Sequence, residues 1–516
     1  MKGAFRPSMS WLHTWAGLVV GWVLFFIFLT GTAGYFDAEI DRWMQPERPL
    51  IEQKASAPQE ADGARRFLER QAGNAERWLI VLSGDRLPDV RLFWRNPPTA
   101  AGAAAGEEYL EPATGNPVSY RKTGGGQLLY KMHYRLHYLP EVAAYWLVGL
   151  CTMAMLVGIV TGVIVHKRIF RDFFTLRLAK GQRSWLDAHN GLSVLALPFH
   201  LMITYSGLMF LVSFYMAPVV VASYGLEGAG RGVYFDELFE RGTGVARSGE
   251  AAPLAPLGPM VAEAEHRMGV GAVSFIDVSH PGDTNARVAV TGGAPHPTRR
   301  DQRLLFDGVS GRLLSESGPR SAPLVVFESL LGLHEGLFAG PVLRWLYFLS
   351  GAMGTAMIAA GLILWTVKRR ARAGDTTGFR LVECLNIGTL AGLPIALAAY
   401  FWANRLIPVG IDDRAAWEGH SLFLTWAVLL IHPFLRPAAR AWREQLWLAA
   451  AAFALLPAVN ALTTARHLGI TLPAGIWDLA GIDLAFLTTG LAFAAAALAV
   501  TPHTGSARAP RRRPAE

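Results

Sequence analysis

Apolar residues run in eight stretches long enough to cross a hydrocarbon core of about 30 Å, which takes about 20 residues of helix. They lie at 12–35, 143–165, 188–222, 342–367, 381–403, 418–435, 445–463 and 478–500, and the last four are rich in Ala and Leu. Two long polar segments, 37–132 and 223–333, separate the first four stretches, and there the period changes. Each opens on a helical pattern, EADGARRFLERQAG at 60–73 and MVAEAEHRMGVG at 260–271. Each continues in alternating strands, RWLIVLSG and VRLFWRN in the first, AVSFIDVS and ARVAVTG in the second. Each closes on a glycine hairpin, EYLEPATGNPVS at 108–119 and RLLFDGVSGRLLS at 303–315. The pattern predicts a membrane all-α helical bundle of about eight transmembrane helices with two small α+β extracytoplasmic modules.

The predicted layout is a first transmembrane helix (1–36), a first module (37–132), helices two and three (133–222), a second module (223–333), a fourth helix (334–370), an additional four-helix region (371–503) and a basic tail (504–516). Lys and Arg set its orientation. MKGAFR, HKRIFRDFFTLRLAKGQR, KRRARAGDTTGFR, RPAARAWR and the tail RAPRRR hold 20 of them, whereas the short loops 404–417 and 464–477 hold only Arg405, Arg414 and Arg466. The positive-inside bias therefore predicts a multi-pass protein with both termini cytoplasmic. The long segments then lie outside, in the periplasm if the membrane is a Gram-negative inner membrane.

Composition narrows the chemistry. The chain is 52% apolar and 17% charged, and its net charge of +8 clusters beside spans, which argues for a lipid bilayer and against nucleic acid. Cys151 and Cys384 both lie in or beside apolar runs, which argues against a disulfide, zinc or an iron–sulfur cluster. The first run is too long for a signal-peptide core, lacks a clear A-x-A site and is predicted to be an uncleaved span.

The spans repeat, and histidines repeat with them. Eighteen residues separate His13 from Gly31, and eighteen separate His189 from Gly207. RLHYLPE…GVIVHKR mirrors GLHEGLF…GLILWTVKRR, which sets His137 opposite His334 with a two-residue offset. Parallel repeats of this kind imply a pseudo-two-fold axis along the membrane normal. His13 and His189 would share the cytoplasmic level, His137 and His334 the outer level. Two levels of paired imidazoles suit two haems, since imidazole is a common axial ligand of haem iron. Gly17, Gly158, Gly162, Gly191 and Gly354 would let a flat macrocycle approach the backbone.

Two residues leave the ligand set open. His133 lies one turn before His137 and could replace it. His200 has Leu24 where its mate would be, yet it lies eleven residues from His189. That spacing returns it to within about 20° of the same face, about 16–17 Å along the axis. His166 flanks a basic stop. His420, His432 and His467 have no repeat mates, His266, His280 and His296 lie in the modules, and His503 lies in the tail. H-E-x-x-H, a P-loop and a strand-borne G-x-G-x-x-G are absent, so no flavin or nicotinamide site is expected. Trp146, Trp345 and Tyr347 read as an aromatic belt.

WLHTWAGLVVGWVLFFIFLTG, RLHYL, LDAHNGLSVLALPFHLMITYSG and GLHEGLF…GLILWTVKRR together resemble the PepSY-associated transmembrane family over about residues 9–370. The hairpins EYLEPATGNPV and LLFDGVSGRLL resemble those of PepSY modules. Members are described as iron-regulated inner-membrane proteins, and some resemble haem-containing reductases of ferric siderophores. The resemblance implies two haems b and electron transfer from a cytoplasmic or membrane donor outward to a ferric siderophore or other Fe(III) chelate. The spans after Arg380 depart from shorter members. Two other classes stay open, a PepSY-type binding or regulatory protein without redox activity and a siderophore or metal transporter.

Overall fold

The computed structural model describes residues 5–49, 55–97, 105–166, 177, 180–215, 217–225, 245–293, 296–298 and 302–500. The predicted basic tail, His503 and most of the basic loop 167–179 lie outside the described residues. α1 (Phe5–Gly34) runs unbroken for 30 residues, and α2 (Asp37–Met44) follows at once. α3 (Ala57–Ala72) opens on a capping box between Ser56 and Gln59. Strands β1 (Arg77–Val81), β2 (Val90–Arg95) and β3 (Ala105–Leu110) come next. α4 (Gly125–Arg135) stops because Leu136 and His137 take φ of 50° and 53°, in the left-handed region that cannot continue a helix. α5 (Glu141–Val165) starts after Pro140. α6 (Gln182–Leu195) and α7 (Leu197–Phe210) form a pair bent by 69°, apolar enough to cross a membrane if taken as one span. Pro198 has no amide to give the Val194 carbonyl, and its ring crowds that turn. Trp22 stands at the corresponding place in α1, which runs unbroken through it.

The second half repeats the plan with α8 (Leu257–Met268), β4 (Val273–Ser279), β5 (Arg287–Gly292), β6 (Gln302–Asp307), β7 (Leu313–Glu316), α9 (Ala322–Glu335) and α10 (Pro341–Ala373). α9 ends on Gly336, whose φ of 64° suits glycine. The four spans α1, α5, α6–α7 and α10 close a ring in which α1 packs on α5 and α10, and α6–α7 packs on the same two. α1 and α6–α7 are thus diagonal, as the internal repeat requires.

Beyond the ring lie α11 (Thr377–Leu390), α12 (Gly392–Leu406), α13 (Arg414–Ile431), α14 (Ala438–Ala454), α15 (Leu456–Thr463) and α16 (Trp477–Ala499). α11–α12 is the most enclosed span, 78% buried against 22% for α16, so it forms the inner wall of this appended region. Among the described residues six helical spans are long and apolar enough to cross a membrane, or seven with the bent pair. The expected eighth, at 418–435, is not one of them. Its helix, α13, has 18 residues and buries Arg414 and Glu418 in its first turns.

The two outer segments differ from expectation in one respect. They do not stay separate. Their strands join in one antiparallel sheet of order β3-β2-β1-β4-β5-β6-β7. β1 and β4 occupy equivalent places in the two halves and pair with each other, with Ile80 opposite Ile276. Neither strand is then left as an open edge, which a three- or four-stranded module would expose. α3 packs beside α8, and Leu68, Trp78, Ile80, Val261, Val278 and Phe306 belong to a single buried core. Burying each large side chain there contributes about 1.5–3 kcal/mol.

Candidate functional site

The bundle interior holds five histidines built alike. His13 of α1 reaches across to α5. Its Nδ1 lies 2.9 Å from the Gly158 carbonyl, and its ring covers Gly162, where an added Cβ would meet Cε1 at 3.3 Å. His189 of α6 does the same to α10, with Nδ1 2.9 Å from the Met357 carbonyl and the ring over Gly361 at 3.1 Å. The two rings face each other with centroids 6.1 Å apart and planes at 71°. A carbonyl only accepts, so a neutral ring carries its proton on Nδ1 and leaves the Nε2 lone pair unprotonated.

The outer level is paired too, through His133 rather than His137. His133 of α4 bonds the Ile27 carbonyl at 2.8 Å, and its ring presses on Gly31, where a Cβ would come within 2.4 Å. His334 of α9 has Nδ1 3.0 Å from Ser206 Oγ, a hydroxyl that donates to the Met202 carbonyl at 2.6 Å. Its ring covers Gly207 at 3.0 Å. The His133 and His334 centroids are 6.0 Å apart, with planes at 40°. His137 is turned away by its left-handed backbone and stacks on Phe423, 5.3 Å between centroids and 8° between planes. The repeat alignment that opposed it to His334 is off by one helical turn.

His200 stands alone. It is 1% exposed, bonds the Ser350 backbone and packs edge-on to Phe28. Its Nε2 is 3.1 Å from where a Gly354 Cβ would lie and has no hydrogen-bond partner, and Thr204 Oγ1, one turn on, also lacks one. On α1, His13 and Gly31 mark the two levels, and their spacing puts those levels about 27 Å apart. Among the described residues no three or more His, Cys, Asp and Glu gather as a metal site. The imidazoles come as two pairs and a singleton.

Above the outer pair lies a charged layer. Glu39 takes Arg86 at 2.6 Å and Arg344 at 2.9 Å, and Asp41 accepts from the Gly126 amide at 2.8 Å. Burial pushes the Asp37 and Asp41 carboxyls up, against the pull of Arg86 on the first and of Arg91 and Arg48 on the second. Tyr35 donates to the His334 carbonyl at 3.2 Å, and Tyr347 donates to that of Leu333 at 3.0 Å.

Sequence reasoning named Gly162 and Gly354 beside imidazoles but not Gly31, Gly207 or Gly361. The signal was present, because the His-to-Gly spacing that revealed the repeat joins the inner histidine of each half to the glycine under the outer one. Gly17 and Gly191, close to His13 and His189 in the chain, and Gly158, whose carbonyl holds His13, have open space where a Cβ would point.

The profile of the family described as PepSY-associated TM region matches residues 10–368. An uncharacterized protein of Pseudomonas aeruginosa, PA4219, is 29% identical over 307 residues, which cover 56% of this chain and 75% of that one.

Proposed function

The chain belongs to the PepSY-associated TM family, and on that premise we propose that it is an inner-membrane di-haem b electron-transfer protein, with both termini cytoplasmic, that reduces a ferric siderophore or similar Fe(III) chelate at its outer face. One observation carries the reading, the two imidazole pairs with centroids 6.1 and 6.0 Å apart at opposite ends of one helix ring. Two imidazoles sharing a metal each hold it about 2 Å from Nε2, which puts their ring centres about 6 Å apart. In each half Nδ1 is engaged by a carbonyl or a serine hydroxyl, the outer hydrogen bond that orients a ligating histidine. The glycines under the rings and the open space beside Gly17, Gly158 and Gly191 suit a flat macrocycle. On this reading His13 and His189 would hold one haem and His133 and His334 the other.

Haem would supply one-electron chemistry at both levels, so no protein acid or base is required. The protein's work is to fix the imidazoles, exclude water with apolar spans and present the charged outer layer to an anionic chelate. The joined sheet would roof that mouth.

Reduced-minus-oxidised spectra of the purified protein test this. His13→Ala and His133→Ala should each remove about half of the b-type absorbance, and His137→Ala should leave it whole. Protein that folds and works without haem would instead support the binding or regulatory reading. Uptake of chelate into liposomes without reductant would support transport.

A further inference from the structure

α4, the helix that carries His133, is gripped at both ends by the appended region. At its start Glu418 of α13 accepts from Thr123 Oγ1 at 2.6 Å and from the Gly124 amide at 2.9 Å, and Tyr400 of α12 donates to the Gly125 carbonyl at 2.8 Å. Glu418 is fully buried and is itself fixed by Asn404 at 2.7 Å and by Arg414. At its end the chain passes through Leu136 and His137, two successive non-glycine residues in the left-handed region. Such residues persist where their surroundings over-determine them. Here the surroundings are α13 again, with Phe423 flat against the His137 ring and His420 stacked on Tyr138 and hydrogen-bonded to its hydroxyl. The symmetry-related helix α9 is held differently. Tyr35 and Tyr347, both from the ring, bond its last carbonyls.

We infer that α13 is a positioning element, in which Glu418 and Phe423 set the height and tilt of α4 and so fix how His133 meets His334. The appended helices lie outside the stretch that the family profile matches. Through α13 they would tune the outer level of the chain, while α11 meets the inner spans separately, through Asn386 to Trp22 and to the Leu362 carbonyl. The functional side of this inference rests on the outer pair being a haem site. Its structural side does not.

The test uses full-length protein in detergent, wild type against Phe423→Ala and Glu418→Gln, with two readouts. Amide exchange across 125–135 should speed up about tenfold in both variants, with α9 and the part of α1 around His13, away from the Phe26–Phe423 contact, unchanged. The low-spin resonance of the outer haem should shift while that of the inner haem stays put. Phe423→Trp, which keeps a stacking face, should restore both. Unaltered exchange in α4 in both variants overturns the inference, as does equal acceleration in α1 and α9, which would mean general loosening. A wild type lacking haem resonances overturns the redox reading instead, and the exchange readout then decides the positioning role by itself.

Discussion

The inner and outer imidazole pairs look alike in separation and in hydrogen bonding, yet they are mounted differently. His13 rides on α1, an unbroken span of 30 residues, and His189 on α6, the first 14 residues of the bent pair, which packs against α10. His133 and His334 ride on α4 and α9, helices of 11 and 14 residues that lead into spans without being spans. α4 packs on α1 and α2, and the appended region adds contacts at both of its ends. The inner level is therefore built into the bundle, whereas the outer level is adjustable by its neighbours.

The strongest way to break this contrast is to remove the outer grip. Arg414 is 1% exposed and Glu418 is fully buried. Glu418→Ala would strand a buried guanidinium, at a cost of about 3–5 kcal/mol. Thermal unfolding in detergent should show that loss. On the proposed di-haem reading, the outer haem should go before the inner one at temperatures where the variant stays folded. Equal loss of both would mean that the two levels are not independently mounted.

The glycines under the rings give a graded version. A Cβ would approach the ring within 2.4 Å at Gly31 and 3.0 Å at Gly207, but only within 3.1 Å at Gly361 and 3.3 Å at Gly162. Gly31→Ala should force His133 off its partner at about 1–3 kcal/mol of strain and remove the outer haem's absorbance. Gly162→Ala, with room for a few tenths of an ångström of adjustment, should keep both haems. If Gly162→Ala proves the more damaging, the inner level is the more tightly fitted and the contrast reverses.

How much of this was legible in the sequence follows the same division. The spans, the doubled histidine-to-glycine spacing and the strand patterns of both outer segments are periodicities; β2, β4 and β5 reappear within a residue and β1 within three, whereas α1 starts at Phe5 rather than 12 and α6–α7 runs 182–210 rather than 188–222. The inner pair was readable because both residues sit at fixed places on long helices. The outer pair was not fully readable, because choosing between His133 and His137 depends on where α4 ends. That end is set by two left-handed residues held by Phe423 and His420, almost three hundred residues away. The fusion of two modules into one sheet, and the burial of Arg414 from a predicted loop against Glu418 at the edge of a predicted span, are likewise facts about distant partners.

His200 offers a smaller test. It is the imidazole without a mate, and Leu24 occupies its place in the first half. Its Nε2 is buried without a partner, a state that costs about 1–3 kcal/mol for a polar group. His200→Leu would make the two halves alike at this height. It should leave haem content unchanged and raise the unfolding temperature slightly, by the equivalent of about 1 kcal/mol. A loss of haem in this variant would place His200 in the ligand set and undo the assignment by pairs.

The smallest effect expected is on pH, and it separates the levels without any change of shape. Asp41 receives the Gly126 amide at the start of α4, and burial raises its folded-state pKa above the usual carboxylate value in spite of Arg91 and Arg48. A raised carboxyl holds its proton longer when folded than when unfolded. Its contribution is therefore most favourable at low pH and declines as pH climbs from the unfolded value of about 4 towards the raised one. After correction for intrinsic exchange chemistry, amide protection of α4 should fall about threefold across that interval, while protection of α1 around His13 stays level. Asp41→Asn should flatten the α4 response, since the amide cannot ionise. A response that persists in the variant would point to Asp37, whose carboxyl burial raises in the same way and whose Oδ2 accepts from Gln127 on the same helix at 2.6 Å. A response equal in α1 would show that the outer grip reaches the inner pair after all.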